Sequence, residues 1–192
     1  MTHQVELAEE RFADELEFLE RWDTGNRPPG WKLTPQAVVT FIMGGTDLKA
    51  GRSKLTIAPK YVGDPALVER CVITLAGSRG LMLVGEPGTA KSMLSELLSA
   101  AVCGTSALVV QGAAGTTEDQ LRYGWNYAML LGKGPTPEAL VPSPVMRAME
   151  NGAVARVEEI TRCLPEVQDS LVSLLIAAYI VVDSFGTAAN VT

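Results

Sequence analysis

Leu81-Met82-Leu83-Val84-Gly85-Glu86-Pro87-Gly88-Thr89-Ala90-Lys91-Ser92 is the stretch on which the reading of the fold turns. Its four leading apolar residues predict a short buried strand. Beyond Ser92, apolar residues at Leu94, Leu97, Leu98 and Ala101 follow a helical period, so Met93 to Val102 is expected to be a helix. A glycine-bearing loop that leaves a strand, ends in Lys-Ser and opens a helix is the context in which backbone N–H groups wrap a phosphate. The helix N-terminus adds positive potential at that point. Lys91 is placed to reach the β- and γ-phosphates of a nucleotide, and the Ser92 hydroxyl to bind Mg²⁺. Gly85, Glu86, Pro87, Gly88, Thr89, Ala90, Lys91, Ser92 and Met93 form the candidate nucleotide-binding set. Ala90 stands where the strict GxxxxGK[ST] pattern has glycine, so near-helical backbone geometry is expected there. The plainer alternative is a Gly-Pro turn with Lys91 and Ser92 as surface residues. The coincidence of strand, glycines, Lys-Ser and helix outweighs it.

Outward from this loop the chain alternates. Helices are expected at Pro65–Leu75, Pro144–Met149 and Glu166–Leu175. Strands are expected at Ala107–Val110, Ala153–Val157 and Tyr179–Val182, with further β character at Phe185–Ala189. Short apolar strands separated by helices predict a parallel sheet covered on both faces, an α/β fold of three layers. The Gly- and Pro-rich stretch from Gly112 to Pro142 yields no assignment. Its Trp125-Asn126-Tyr127 reads first as packing and second as a partner contact.

The second functional segment is Ala153-Val154-Ala155-Arg156-Val157-Glu158-Glu159, an apolar strand that ends in two carboxylates. In an open parallel sheet, ligands sit beyond the carboxyl ends of the strands. Glu158 is the candidate partner of Ser92 at Mg²⁺. Glu159 is the candidate general base for the attacking water. A solvated strand end is the commonplace alternative for a lone Glu-Glu, and the upstream phosphate loop tips the balance.

GEPGTAKS followed by VEEITRCLPEVQDSLVSLL resembles the MoxR-like branch of the AAA+ ATPases. Ile160-Thr161-Arg162 and Pro165-Glu166-Val167-Gln168 stand where that family has Ile-Asn-Arg, a proline-bearing turn and a helix with Gln. Tyr61-Val62-Gly63 resembles the segment that flanks the adenine, which adds Val62 and Gly63 to the candidate binding residues. The resemblance spans about residues 57–190. It implies a three-layer αβα P-loop NTPase of AAA+ type, ATP and Mg²⁺ as ligands, and a ring, usually a hexamer. It also implies that Asn190 orients the attacking water, an ordinary C-terminal asparagine being nearly as good a reading. Glu158 in place of aspartate and Thr161 in place of asparagine depart from the pattern. Relatives carry a trans-acting arginine and a helical lid beyond this point, so a truncated module is expected.

Residues 5–22, with Phe12, Leu16 and Leu19 on one face, predict an amphipathic helix. Thr34-Pro35 predicts the start of a short helix ending at Met43, and residues 46–60 read as irregular. The expected organisation is an N-terminal helical appendage, residues 1–55, on an ATPase core, residues 56–192. Residues 1–20 hold seven acids and one base, and the other 172 residues are neutral overall, so the net charge of −6 is local. Without a basic stripe nucleic acid is disfavoured as a partner. No apolar run suits a membrane span and no leader is legible. Three cysteines without CxxC spacing point to reduced core thiols and a cytoplasmic protein. The single histidine, His3, leaves a His-based metal site or Ser-His-Asp triad without material.

The functional expectation is an ATP-driven remodelling ATPase acting on a protein substrate or adaptor. The alternatives are a nucleotide-gated scaffold with impaired hydrolysis and, less favoured, a nucleic-acid translocase.

Overall fold

The structure is a computed structural model that describes residues 6–77, 79–175 and 180–185. The chain enters through helices α1 (Ala8–Arg11), α2 (Ala13–Trp22) and α3 (Pro35–Met43), then a hairpin of β1 (Gly45–Ala50) and β2 (Ser53–Ile57). Helix α4 (Pro65–Ala76) leads to β3 (Leu81–Gly85), α5 (Lys91–Cys103) and β4 (Val109–Gln111). Next come α6 (Glu118–Arg122), β5 (Tyr123–Trp125), α7 (Tyr127–Lys133) and β6 (Leu140–Pro142). Helix α8 (Pro144–Asn151), β7 (Ala155–Glu158), α9 (Pro165–Leu175) and β8 (Ile180–Phe185) complete the described elements.

Strands β3, β8, β7 and β4 form a parallel sheet in that order. Period-two alternation sends successive side chains of β7 to opposite faces. Val154 joins the apolar cluster of α2–α5, while Ala155 and Val157 join a second cluster with Val145 of α8 and Leu171 of α9. Both faces of the sheet are thus covered, giving the expected α/β P-loop architecture.

Local chemistry starts three of the helices in one way. Thr34, Asp64 and Ser143 accept from backbone N–H groups at 3.1, 2.9 and 3.0 Å, and proline occupies the first helical position of α3, α4 and α8.

Two expectations need correction, and one unassigned stretch gains its elements. The helix foreseen over 5–22 is broken at Phe12, whose backbone (φ −120°, ψ 27°) leaves the helical region. Its ring packs edge-on to Phe41 at 5.8 Å, and tertiary packing overrides local propensity there. Residues 46–60 contain a hairpin rather than irregular chain: Leu48-Lys49-Ala50 and Lys54-Leu55-Thr56-Ile57 do alternate, but over runs too short to stand out in a mostly polar stretch. The unassigned 112–142 stretch contains α6, α7 and an antiparallel β5–β6 pair.

Phe18 and Leu19 of α2 share one apolar cluster with Val68 of α4 and Leu97 of α5, so the N-terminal helices pack into the body of the fold. Residue 55, the expected division, lies within β2. No helix among the described residues is long and apolar enough to cross a membrane. Cys71, Cys103 and Cys163 are free thiols, and burial raises the pKa of Cys71 and Cys103 above the ordinary thiol value.

Candidate functional site

Strand β3 delivers Gly85 to the carboxyl edge of the sheet, and α5 begins six residues later at Lys91. The turn between them holds Gly88 at φ +82°, with nothing within 4 Å of where a Cβ would stand. The position is exposed, and the positive φ is one that L side chains rarely adopt. The Lys91 side chain bends back over this loop. Its Nζ donates to the carbonyls of Gly85 (2.9 Å) and Glu86 (2.7 Å) and to Thr89 Oγ1 (3.2 Å). Thr89 in turn donates to the Glu86 carbonyl at 2.8 Å, so the loop and its lysine brace each other. Ser92 and Met93 occupy the first turn of α5.

Ala90 departs from expectation. Its φ of 59° and ψ of 25° are left-handed, not near-helical. The loop keeps the bend that glycine usually provides and imposes it on an L-residue at a cost of roughly 1–2 kcal/mol.

A groove of about 410 Å³ beside the loop is lined by Gly85, Thr89, Lys91, Leu94 and, from the chain before α4, Tyr61. Of the Tyr61-Val62-Gly63 segment, Tyr61 is the buried member. Val62 is 96% exposed, and a Cβ at 63 would strike the Tyr61 ring at 2.5 Å.

The carboxylates lie two strands away, at the end of β7. Glu158 is the last residue of the strand, and Glu159 turns out of it in a left-handed conformation (φ 54°). That turn aims consecutive carboxylates differently. Glu158 Oε1 accepts from Nη2 of Arg156, while Glu159 Oε2 accepts from Arg162 Nε at 2.8 Å. Arg156 also joins the two halves of the site, because its Nη2 lies 3.4 Å from the Ser92 carbonyl.

Two residues of this arrangement escaped the sequence reading. Arg156 lies within a run that reads as an apolar strand, although an arginine in such a run is itself a signal. Gly112 follows β4 and donates its N–H to the Glu158 carbonyl at 2.7 Å. A Cβ there would lie 2.6 Å from the Glu159 carbonyl oxygen, a backbone atom with no freedom to yield. Asn190 lies outside the described residues.

The donor set suits a magnesium nucleotide. The loop offers backbone N–H groups and an ammonium over an open hollow. Ser92 and Glu158 are hard oxygen donors, and Mg²⁺ typically takes one or two protein oxygens with substrate phosphates and water supplying the rest.

The family described as AAA domain (dynein-related subfamily) matches residues 80–192. The uncharacterized protein YehL of Escherichia coli (strain K12) is 51% identical over 164 residues, covering 85% of this chain and 43% of that protein. The chain thus spans less than half the length of that relative. The matched residues run from the phosphate-loop strand past the paired carboxylates, and on this ground the chain belongs to the AAA domain family, dynein-related subfamily.

Proposed function

We propose that the chain is the nucleotide-binding part of a Mg²⁺-dependent ATPase that works as a ring, in the manner of MoxR-like remodelling ATPases. The observation that carries this reading is the single guanidinium of Arg156, which spans from the phosphate-loop helix at Ser92 to the carboxylate at Glu158. This link between the loop helix and Glu158 supports reading them as one site rather than two strand ends.

In this reading Lys91 and the loop N–H groups hold the phosphates, and Ser92 and Glu158 face the metal. Mg²⁺, when bound, neutralises charge on the β- and γ-phosphate oxygens. Glu159 accepts the proton of the attacking water. Tyr61 walls the groove toward the nucleoside, with Gly63 leaving room for its ring. A neighbouring subunit supplies the arginine that stabilises the transition state, an effect of roughly 10³–10⁵ in rate in related phosphoryl-transfer systems. The acidic N-terminal helices are proposed to meet a protein adaptor, and the charge balance speaks against nucleic acid.

Phosphate release measured on the full-length protein over a concentration series tests this. Specific activity is expected to rise as subunits assemble and to need Mg²⁺. Turnover independent of protein concentration would remove the ring, and stimulation by DNA or RNA would favour a translocase.

A further inference from the structure

Arg156 sits inside β7, 8% exposed, where the strand's other interior residues are apolar. A buried guanidinium is costly unless its donors are met. Here they are met by a specific set. Nε donates to Ser95 Oγ at 3.1 Å, Nη1 to the Ser106 carbonyl at 2.9 Å, and Nη2 to the Ser92 carbonyl and to Glu158 Oε1.

Three of these four acceptors are neutral, and all three are fixed. Ser92 and Ser95 belong to α5, and Ser95 Oγ also donates to the Ser92 carbonyl at 2.8 Å. Ser106 is clamped by Glu9, which accepts from its N–H at 2.8 Å and its hydroxyl at 2.7 Å. The plane of the guanidinium is therefore set by the scaffold, and the carboxylate docks onto a fork already in place. Glu158 needs such a fork, because it carries one more rotatable bond than aspartate and, among the described residues, Arg156 is the hydrogen-bond and ion-pair partner of its side chain.

We propose that Arg156 is a positioning residue that holds Glu158 against the first turn of α5, leaving the second carboxylate oxygen for the metal side. The proposal rests on the Mg²⁺–ATP reading above. A lysine cannot substitute, since one ammonium does not reach Ser95, Ser106 and Glu158 together.

The test uses this chain, a fluorescent ATP analogue and MgCl₂, and reads the Mg²⁺ concentration at which nucleotide affinity is half-enhanced. Arg156→Gln is expected to raise that midpoint roughly 10-fold, within the range of couplings between groups in contact. Ser95→Ala, which changes no charge, is expected to raise it about 3-fold by loosening the fork. In a Glu158→Gln background, Arg156→Gln should add nothing. Thermal unfolding checks each variant, and Arg156→Lys, which keeps the buried charge, carries the test if Arg156→Gln does not fold. A midpoint that falls in Arg156→Gln, or stays put in Ser95→Ala, would mean that Arg156 only shields charge, and overturns the proposal. Additive effects of the Arg156 and Glu158 substitutions overturn it as well. Wild-type protein that binds no nucleotide would overturn the site itself and this role with it.

Discussion

Glu159→Gln is expected to leave nucleotide affinity unchanged and to lower turnover by about 10²–10⁴-fold, the usual worth of a positioned general base. The left-handed backbone at Glu159 swings its carboxylate away from Glu158 and into the reach of Arg162. Glutamine preserves that shape and still offers Arg162 a carbonyl oxygen, so the fold has no reason to suffer. What it cannot do is accept a proton from water. Single-turnover phosphate release on the full-length protein, set beside equilibrium nucleotide binding, separates the two effects. Wild-type turnover in the variant would assign proton transfer to another group.

Lys91→Ala is expected to weaken ATP binding by roughly 30- to 150-fold, the equivalent of about 2–3 kcal/mol for the charge-assisted hydrogen bonds it removes. The side chain is 9% exposed and folded over the hollow of its own loop, so its ammonium is already in place before a phosphate arrives. That pre-positioning is why the loss falls on affinity. Titration of a fluorescent ATP analogue at fixed Mg²⁺ measures it, with the melting temperature as the control for folding. Unchanged affinity would dismiss the loop as a phosphate site.

The phosphate loop was legible because its information is local: strand, turn, cation and helix lie within a few residues of each other. The strand order was not. Strand β8 inserts between β3 and β7, and nothing in the spacing of the segments encodes that insertion. The same non-locality hid Arg156, whose four acceptors come from positions 92, 95, 106 and 158. Gly112 was illegible for a related reason, since its lack of a side chain matters only when the Glu158–Glu159 turn lies against it. Ala90 defeats local reasoning, because an L-residue favours a comfortable backbone and the fold forces a left-handed one on it. The N-terminal helix failed at Phe12, where one ring serves a tertiary contact at the expense of helical continuity.

Those left-handed residues, Ala90 and Glu159, bear on how the protein answers to selection. Each holds backbone strain of roughly 1–2 kcal/mol that glycine would relieve, while glycine gives back only about 0.5–1 kcal/mol by loosening the unfolded chain. Both positions therefore lie on a downhill route toward glycine when a library is sorted by heat resistance alone. At position 90 the trade leaves the loop pattern of a strict GxxxxGK[ST] motif. At position 159 it deletes the carboxylate. A thermostability screen run without a turnover readout should thus enrich Glu159→Gly alongside Ala90→Gly, returning a tougher protein without the carboxylate proposed to accept the proton.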